Sequence, residues 1–467
     1  MMDALYLILA IALPTMAGTL FVARVLDTGF GLAARLSLGF GTGMGAVTYL
    51  FLIFGFASVP FSLLPFIAAL VIASGLLAYR LKLPSATCSS CGAVEENSGI
   101  LWKIVSALLV VLIAFKLLFV FFEATHRPVY SWDTWTNWSA GAKLFFYQKG
   151  LLLDSADEHF FGKGYRPFMG HPLHATFMQV WSGLWLGRFD EALVKIYSFF
   201  YFVSMLALFY VAVKDEAGKK FALVSTYLLS SIPILTYHAQ DGYADLPLAF
   251  YSLAAVVCFW KFLATERKGL LVVAGTMLGF GVLTKNEGLF YIVAVGLALV
   301  LARYDKAQSR GAFSRELASL ALPVIILAGP WFVAKFAMGL GFGHGLGGSE
   351  FNWLSDPLYT EGAPKGIHWE VIGKSLKEWM LTANFGLMFP ALAVSFILGL
   401  KQIYRSDLKY LYIVIFSVMA MFMFVYLTLE VTTVMDATGI HRNTLTYAPI
   451  ILFTLTLLAS RIFKRSR

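Results

Sequence analysis

The side chains best suited to chemistry lie in residues 123–174, the longest polar interval in the first half of an otherwise apolar chain. This interval holds one carboxylate, Asp133, within a run of tryptophans, and then Arg166 and His171. An ionised carboxylate can accept the proton of an attacking alcohol. The alternative is that Asp133 only caps the helix that starts beside it. The local sequence supports the two interpretations equally.

Arg166 and His171 precede a helix predicted over residues 173–186, with Pro172 as its first residue. Cationic side chains and free backbone N–H groups at a helix N-terminus favour a bound anion such as phosphate. An arginine near lipid headgroups can also serve topology alone. The remaining reading of His171 and its neighbour His174, as metal ligands with Glu158, lacks the i, i+4 spacing of a helical zinc motif.

Two further polar groups interrupt apolar runs. His238, Asp241 and Asp245 lie at the mouth of a predicted helix, where carboxylates can simply complement the helix dipole. Lys285 and Glu287 form a tight KNEG turn between two short apolar helices. Because unpaired charges at membrane depth cost several kcal/mol, they are expected to face a cavity and meet partners. Lys285 either pairs with Glu287 or binds a lipid-linked phosphate.

Arg442 stands in a last polar cluster with His441 and Asn443, again directly before an apolar helix. No nucleotide motif accompanies these groups. The glycines of GFGTGMG (39–45) lie inside an apolar run without a preceding strand, which predicts close helix packing. With no soluble domain to hold a nucleotide, an activated donor is expected to be reached from the membrane.

The composition defines the class of protein that must position these groups. The chain is 59% hydrophobic and 13% charged, with a mean hydropathy of +0.75. Apolar runs of about 20 residues, long enough to cross a bilayer as helices, recur from end to end. They predict an all-α, polytopic membrane protein with about thirteen spans. The predicted spans are 3–23, 36–57, 60–80, 101–122, 191–213, 221–237, 246–264, 270–284, 288–303, 318–338, 380–400, 410–429 and 445–462.

Lysine and arginine cluster in alternate connections, so the net charge of +9 encodes topology rather than nucleic-acid binding. This pattern predicts an external N-terminus and a cytoplasmic C-terminus. The predicted external segments are 123–190, 238–245, 285–288, 339–379 and 430–444, which hold nearly every unusual polar residue. Within them we expect an interfacial helix from Trp132 to Tyr147 and a mobile, glycine-rich lid over residues 339–348.

The order and spacing of four motifs resemble the GT-C superfamily of polytopic glycosyltransferases, specifically the protein mannosyltransferases and the aminoarabinose transferase of lipid A. The motifs are SWDTW around Asp133, HPL at His171, GYADLPLAFY (242–251) and LTKNEGL (283–289), within residues 100–305. The resemblance implies a catalytic core over 100–305, preceded by extra helices in 1–99. A C-terminal set of helices would follow in 306–467.

The resemblance also implies the chemistry, an inverting displacement with a polyprenyl-phosphate sugar as donor. Asp133 would deprotonate the acceptor hydroxyl. The donor phosphate would be bound by Arg166, His171, Lys285 and Arg442. Supporting or acceptor-side roles would fall to His238, Asp241, Asp245 and Glu287. Members of the family often carry a second carboxylate in the first loop, whereas here Asp133 has only Glu123 upstream. This departure leaves a divalent metal open as a cofactor.

The expected protein is therefore a membrane glycosyltransferase on the external face of a prokaryotic plasma membrane, acting on a glycan, lipid or protein. A transporter or flippase of lipid-linked saccharides is one alternative. It gains no support from sequence symmetry, since no internal repeat is visible. A polymerase or ligase of lipid-linked glycans is the other. The sequence does not identify the sugar, the acceptor or the oligomeric state. It also assigns no role to Cys88 and Cys91, which form half of a zinc motif.

Overall fold

The computed structural model describes residues 2–26, 30–79, 99–151, 171–306, 310–337, 366–382, 384–428 and 431–465. All regular secondary structure in these ranges is helical, which confirms the all-α prediction. The first half contains α1 (Met2–Val25), α2 (Leu32–Phe56), α3 (Leu63–Ala78), α4 (Ile100–His126), a π-helix (Thr134–Ser139), α5 (Ala140–Gln148), α6 (His174–Leu186), a 3-10 turn (Leu193–Lys195), α7 (Tyr197–Ala217), α8 (Lys219–Ser230) and α9 (Pro233–Asp241). The second half contains α10 (Asp245–Thr265), α11 (Lys268–Thr284), α12 (Gly288–Asp305), α13 (Arg310–Ala337), α14 (Glu370–Leu381), α15 (Met388–Tyr404), α16 (Leu408–Thr428), α17 (Val431–Met435), α18 (Thr438–Leu445) and α19 (Ala448–Arg465).

Within the described residues, eight helices are long and apolar enough to cross a membrane. Two pairs of consecutive helices, bent by 65° between α8 and α9 and by 52° between α18 and α19, are each long and apolar enough together to count as one further span. The shorter apolar helices α3, α11 and α15 coincide with three more of the predicted spans. The chain is therefore a multi-pass membrane protein, and the count of about thirteen spans stays a prediction.

Helix α10 forms the centre of the bundle. Of the 18 residues in its apolar stretch, 94% are buried inside the protein, whereas the corresponding share in α4 is only 6%. A helix that is hydrophobic on every side can be surrounded either by protein or by lipid. The difference in burial between α10 and α4 therefore reflects their positions in the bundle rather than their composition. Helix α10 packs against α7, α11, α12 and α19, and it holds Asp245 at its first turn. Helix α10, the most buried of the candidate spans, thus begins at Asp245, one of the predicted site residues.

The glycines of the GFGTGMG segment allow α1 and α2 to pack backbone against backbone. A Cβ on Gly39 would collide with the backbone of Thr19, and one on Gly43 would collide with the backbone of Pro14. A Cβ on Gly18, in α1, would likewise meet the carbonyl of Gly39. Small residues permit this close approach where apolar side chains gain nothing over lipid. The predicted packing role of the segment is confirmed.

Three boundaries differ from the sequence-based expectation. The predicted span 380–400 begins only at Met388, because the amphipathic helix α14 ends at Leu381. Helix α6 begins at His174, so Pro172 precedes the helix rather than forming its first residue. The predicted interfacial helix from Trp132 is helical to Gln148, but six of its residues form the π-helix. The proposed lid, residues 339–348, lies outside the described residues, and the three-part domain division stays a prediction.

Candidate active site

A chain of charged side chains links four elements that are distant in sequence. Arg442 donates from Nη1 to the carboxylate of Asp133 and from Nη2 to Oδ2 of Asp245, at 3.3 Å. Lys285 Nζ lies 2.9 Å from Oδ1 of Asp245 and 2.8 Å from Oε1 of Glu287. Six of the residues selected from the sequence, including His238 beside Asp245, thus meet at one point.

Asp133 belongs to the helical turn that leads into the π-helix. Its backbone is helical, with φ −66° and ψ −36°, and its side chain makes no capping hydrogen bond. The carboxylate instead turns to Arg442 and keeps 31% of its side-chain surface exposed. The geometry therefore argues against the capping interpretation and leaves Asp133 accessible for proton transfer.

Asp245 is the buried anchor of the cluster. It is the first residue of α10, its side chain is fully buried, and it accepts from both Lys285 and Arg442. His238 Nδ1 lies 3.7 Å from its Oδ2. A carboxylate removed from water needs such partners, because its desolvation costs several kcal/mol. Asp245 thereby fixes the positions of both cations.

The turn between α11 and α12 presents Lys285. The backbone N–H of Lys285 still donates to Gly281, and that of Gly288 donates to the Lys285 carbonyl, so the turn is short. A Cβ on Gly288 would lie 2.6 Å from the backbone of Gly281, which explains why glycine follows Glu287. Burial alone would lower the pKa of Lys285, but the carboxylates of Asp245 and Glu287 outweigh it and raise that pKa. Lys285 is therefore a permanent cation.

Arg442 reaches the cluster from α18, the short arm of the second bent span. Its guanidinium lies over the ring of Tyr243, 4.9 Å from the centroid, and Tyr243 stacks on His238 at 4.2 Å. The Nε of Arg442 is buried and donates no hydrogen bond within the described part of the chain. Arginine has five N–H donors, so the residue retains capacity for a further oxygen ligand.

Asp241 does not join the charged chain but holds the segment that carries Asp133. Its carboxylate accepts the backbone N–H groups of Ser131, at 2.9 Å, and Tyr130, at 3.3 Å. The hydroxyl of Ser131 bonds that of Tyr237 at 2.7 Å. Because Asp241 ends α9, it stands at a helix C-terminus, and the dipole explanation considered for it does not apply.

Arg166 and His171 were also selected from the sequence. Arg166 is outside the described residues. The ring of His171 packs against that of Trp138, on the π-helix, with the ring centroids 5.6 Å apart. Glu123 pairs with Arg127 at 3.6 Å. The second carboxylate beside Asp133 is therefore Asp245, which tertiary packing supplies rather than the local loop.

Two charged groups at the site were missed by the sequence interpretation. Lys335, buried near the end of α13, donates to Oδ1 of Asn286 in the KNEG turn at 3.3 Å. Glu378 of α14 lies 3.0 Å from His441 Nε2. Lys335 could have been selected from the sequence, because a lysine inside a predicted span needs a partner. The local sequence around Glu378 does not indicate a site residue, because its partner His441 is brought to it by packing.

A divalent metal does not fit between the two carboxylates as they stand. The guanidinium of Arg442 occupies the space between Asp133 and Asp245 that a cation bound by both would need. Among the described residues, no group of three or more potential ligands converges on a common point. No step of the mechanism below is routed through a metal.

Comparison with known proteins gives one family match and a similar fold among the solved structures. The family model for dolichyl-phosphate-mannose-protein mannosyltransferases matches residues 170–333. The structure is similar to that of ArnT from Cupriavidus metallidurans bound to undecaprenyl phosphate, with a TM-score of 0.51 and 17% identity over 77% of this chain. The apo form of that ArnT gives a TM-score of 0.50 and 17% identity over 78%. No curated protein matches the chain.

The chain spans 60% of the length of the ArnT chain. At 17% identity the likeness concerns the fold alone. The family match begins at the His171 segment and includes the turns that carry Asp245 and Lys285. Together, the family match and the shared fold confirm the resemblance of this chain to the GT-C superfamily that the sequence predicted.

Proposed function

We propose that the chain is an inverting glycosyltransferase that moves a sugar from a polyprenyl-phosphate donor to an acceptor hydroxyl. The observation that carries the proposal is the charged chain from Asp133 through Arg442 and Asp245 to Lys285. It combines a partly exposed carboxylate, Asp133, with one buried cation, Lys285, and one partly exposed cation, Arg442, at the ends of membrane helices. A base and an anion site side by side are what this reaction requires.

The cations are proposed to receive the donor phosphate. Arg442 and Lys285 are both held by Asp245, which keeps them in place before the ligand arrives and reduces the cost of reorganisation. Arg166 and His171 are proposed as further phosphate contacts. Undecaprenyl phosphate is the ligand of the similar ArnT structure and serves here as the model donor lipid.

Asp133 is proposed as the general base. Its carboxylate accepts the proton of the acceptor hydroxyl while that oxygen forms a bond to the anomeric carbon. The bond between the anomeric carbon and the phosphate oxygen breaks, and its electron pair leaves with the polyprenyl phosphate. Attack opposite the leaving group inverts the anomeric centre. The growing charge on the leaving phosphate is stabilised by Arg442 and Lys285.

An apolar cavity of about 420 Å³ offers a place for the polyprenyl tail. It lies between α1, α2, α3, α11 and α13, and its lining includes Tyr49, Phe280 and Leu327. Phe280 is five positions before Lys285, which corresponds to about 7.5 Å along a helix. A lipid whose phosphate contacts Lys285 could therefore place its first isoprene units in this cavity.

The proposed location is the external face of a prokaryotic plasma membrane. The positive-inside pattern supports this orientation, because it assigns the connections carrying Asp133, Lys285 and Arg442 to one side, opposite the basic clusters. The acceptor is proposed to be a glycan, lipid or protein presented on that side. The choice between hexose and pentose donors is left to experiment.

The proposal is tested with purified protein in lipid nanodiscs. A panel of undecaprenyl-phosphate hexoses and pentoses is supplied with an extract of cell-envelope acceptors, and release of undecaprenyl phosphate is measured by chromatography. We expect acceptor-dependent release from at least one donor. Transport of intact lipid-linked sugar across vesicles without any release would instead identify a flippase. Release only from diphosphate-linked donors would identify a polymerase or ligase.

A further inference from the structure

Arg442 and Lys285 are each already paired with two carboxylates. Within the described residues, Arg442 and Lys285 face three carboxylates, those of Asp133, Asp245 and Glu287. An anionic phosphate that approaches this group meets no spare positive charge on either cation. Binding must therefore rearrange an existing ion pair or suffer repulsion from the carboxylates.

The three carboxylates differ in how readily they can give way. Asp245 is fully buried on the first turn of α10 and contacts both cations, so its displacement would strand a charge in the protein interior. Glu287 has 18% of its side chain exposed, and Asp133 has 31%. Asp133 is thus the carboxylate most easily returned to water. Its partner is the residue that also retains an unused donor, Nε.

We infer that the donor phosphate competes with Asp133 for Arg442, so that donor binding releases the catalytic base. In the ligand-free state Arg442 holds Asp133 in an ion pair, in which the guanidinium occupies Oδ2 of the carboxylate. The phosphate takes the place of Asp133 on the guanidinium, and Arg442 keeps its contact with Asp245. Asp133 is then free to face the acceptor hydroxyl.

This inference rests on the proposed function and specifies its order of events. The base becomes available only when a lipid phosphate occupies the site, so the donor binds before the acceptor is deprotonated. The guanidinium of Arg442 therefore binds Asp133 before the donor arrives and binds the leaving phosphate afterwards.

The inference is tested by a double-mutant cycle on affinity. Binding of undecaprenyl phosphate to the purified protein in nanodiscs is measured for the wild type, Asp133→Asn, Arg442→Gln and the double variant. If the carboxylate competes with phosphate, Asp133→Asn binds the lipid about tenfold more tightly than the wild type, within the usual range of coupling between ligands. The gain disappears in the Arg442→Gln background, because the shared residue is gone.

Two controls isolate the effect. Undecaprenol has the same tail but no phosphate, and its affinity is expected to be equal in all four proteins. Glu191→Gln removes a carboxylate from the exposed pair with Lys143, away from Arg442, and should leave the affinity for undecaprenyl phosphate unchanged. Thermal unfolding of each variant verifies that the fold is retained.

The outcomes separate the inference from the proposed function. Unchanged or weaker binding by Asp133→Asn, with normal binding by the wild type, overturns the exchange alone. The same is true if the gain persists without Arg442. Failure of every protein to bind undecaprenyl phosphate contradicts the donor assignment, and the exchange falls with it.

Discussion

Arg442 donates to the carboxylate of Asp133 across 309 positions of sequence. The contact joins the connection after α4 to the short arm of the last bent pair of helices, so two segments distant in sequence complete one site. Arg442 also contacts the buried Asp245, which lies 197 positions before it. One guanidinium, itself a candidate phosphate ligand, therefore connects the candidate base to the buried anchor of the site.

Substitution of Lys285 by methionine should weaken the binding of undecaprenyl phosphate by about tenfold or more, because a charge-assisted contact to phosphate is lost. The loss also leaves Asp245 with one cation fewer, and removal of one partner from a buried pair typically costs about 3–5 kcal/mol of stability. Lys285→Arg should retain most of the affinity. Lipid binding and thermal unfolding are the measurements.

A matched control for Lys285 lies at the other end of α12. There Arg303 and Glu316 form a buried pair at 2.7 Å. Glu316→Gln should destabilise the protein to a similar degree while the affinity for undecaprenyl phosphate stays the same. If Lys285→Met lowers stability but binds the lipid as tightly as Glu316→Gln does, Lys285 has a structural role only.

Asp241→Asn should lower kcat by about tenfold with little change in donor affinity, since the side chain holds the backbone of Ser131 rather than contacting the phosphate. The isosteric amide keeps one acceptor oxygen, so it should be less harmful than Asp241→Ala. Rates and donor affinities for the two variants test this order. A loss confined to donor binding would show that Asp241 contacts the ligand directly.

Leu327→Trp should fill part of the cavity between α2, α11 and α13 and weaken the binding of undecaprenyl phosphate by about tenfold, because the tail loses apolar contacts. Ile325→Trp is the control, since Ile325 lies on the same helix, 62% exposed and outside the cavity lining. A short-chain prenyl phosphate provides a second comparison. If both substitutions change the affinity for undecaprenyl phosphate equally, the polyprenyl tail does not bind in this cavity.

The contact between α14 and α18 should depend on pH. Burial would raise the pKa of Glu378, but Lys374 and His441 outweigh it and lower that pKa in the folded state. A lowered folded pKa stabilises the protein above the unfolded value, near 4.5, and the contribution is lost as pH falls through the folded pKa. The difference in Tm between the wild type and Glu378→Gln should thus be present at pH 6 and shrink below about pH 4.5. A constant difference would contradict this.

The helices were predictable because membrane spans are a local property of composition. Each of the thirteen predicted runs overlaps at least one helix of the described residues, since an apolar stretch in lipid has to satisfy its own backbone. The bends were not predicted, although Pro233 begins the short arm α9. A proline there permits a break, but the 65° angle is set by what the arm packs against.

The residues of the site were predictable from the free-energy cost of placing an unpaired charge at membrane depth, but which residues pair with each other was not. Lys285, Asp245 and Arg442 stand out because a charge at the end of an apolar helix is expensive without a partner. Which partner each finds depends on how α10, α11 and α18 pack. For this reason the sequence suggested a pair of Lys285 with Glu287 alone, whereas the fold adds Asp245 to Lys285 and places Asp133 against Arg442.

The most direct test of the account is the rate of sugar transfer by Asp133→Asn, measured as release of undecaprenyl phosphate from the preferred donor. The amide has the shape of the carboxylate but cannot accept the proton, so we expect the rate to fall by about 10²–10⁴, the usual contribution of a general base. Lipid binding and the unfolding temperature should show that donor site and fold are intact. Transfer at the wild-type rate by this variant would contradict the assignment of Asp133 as the base.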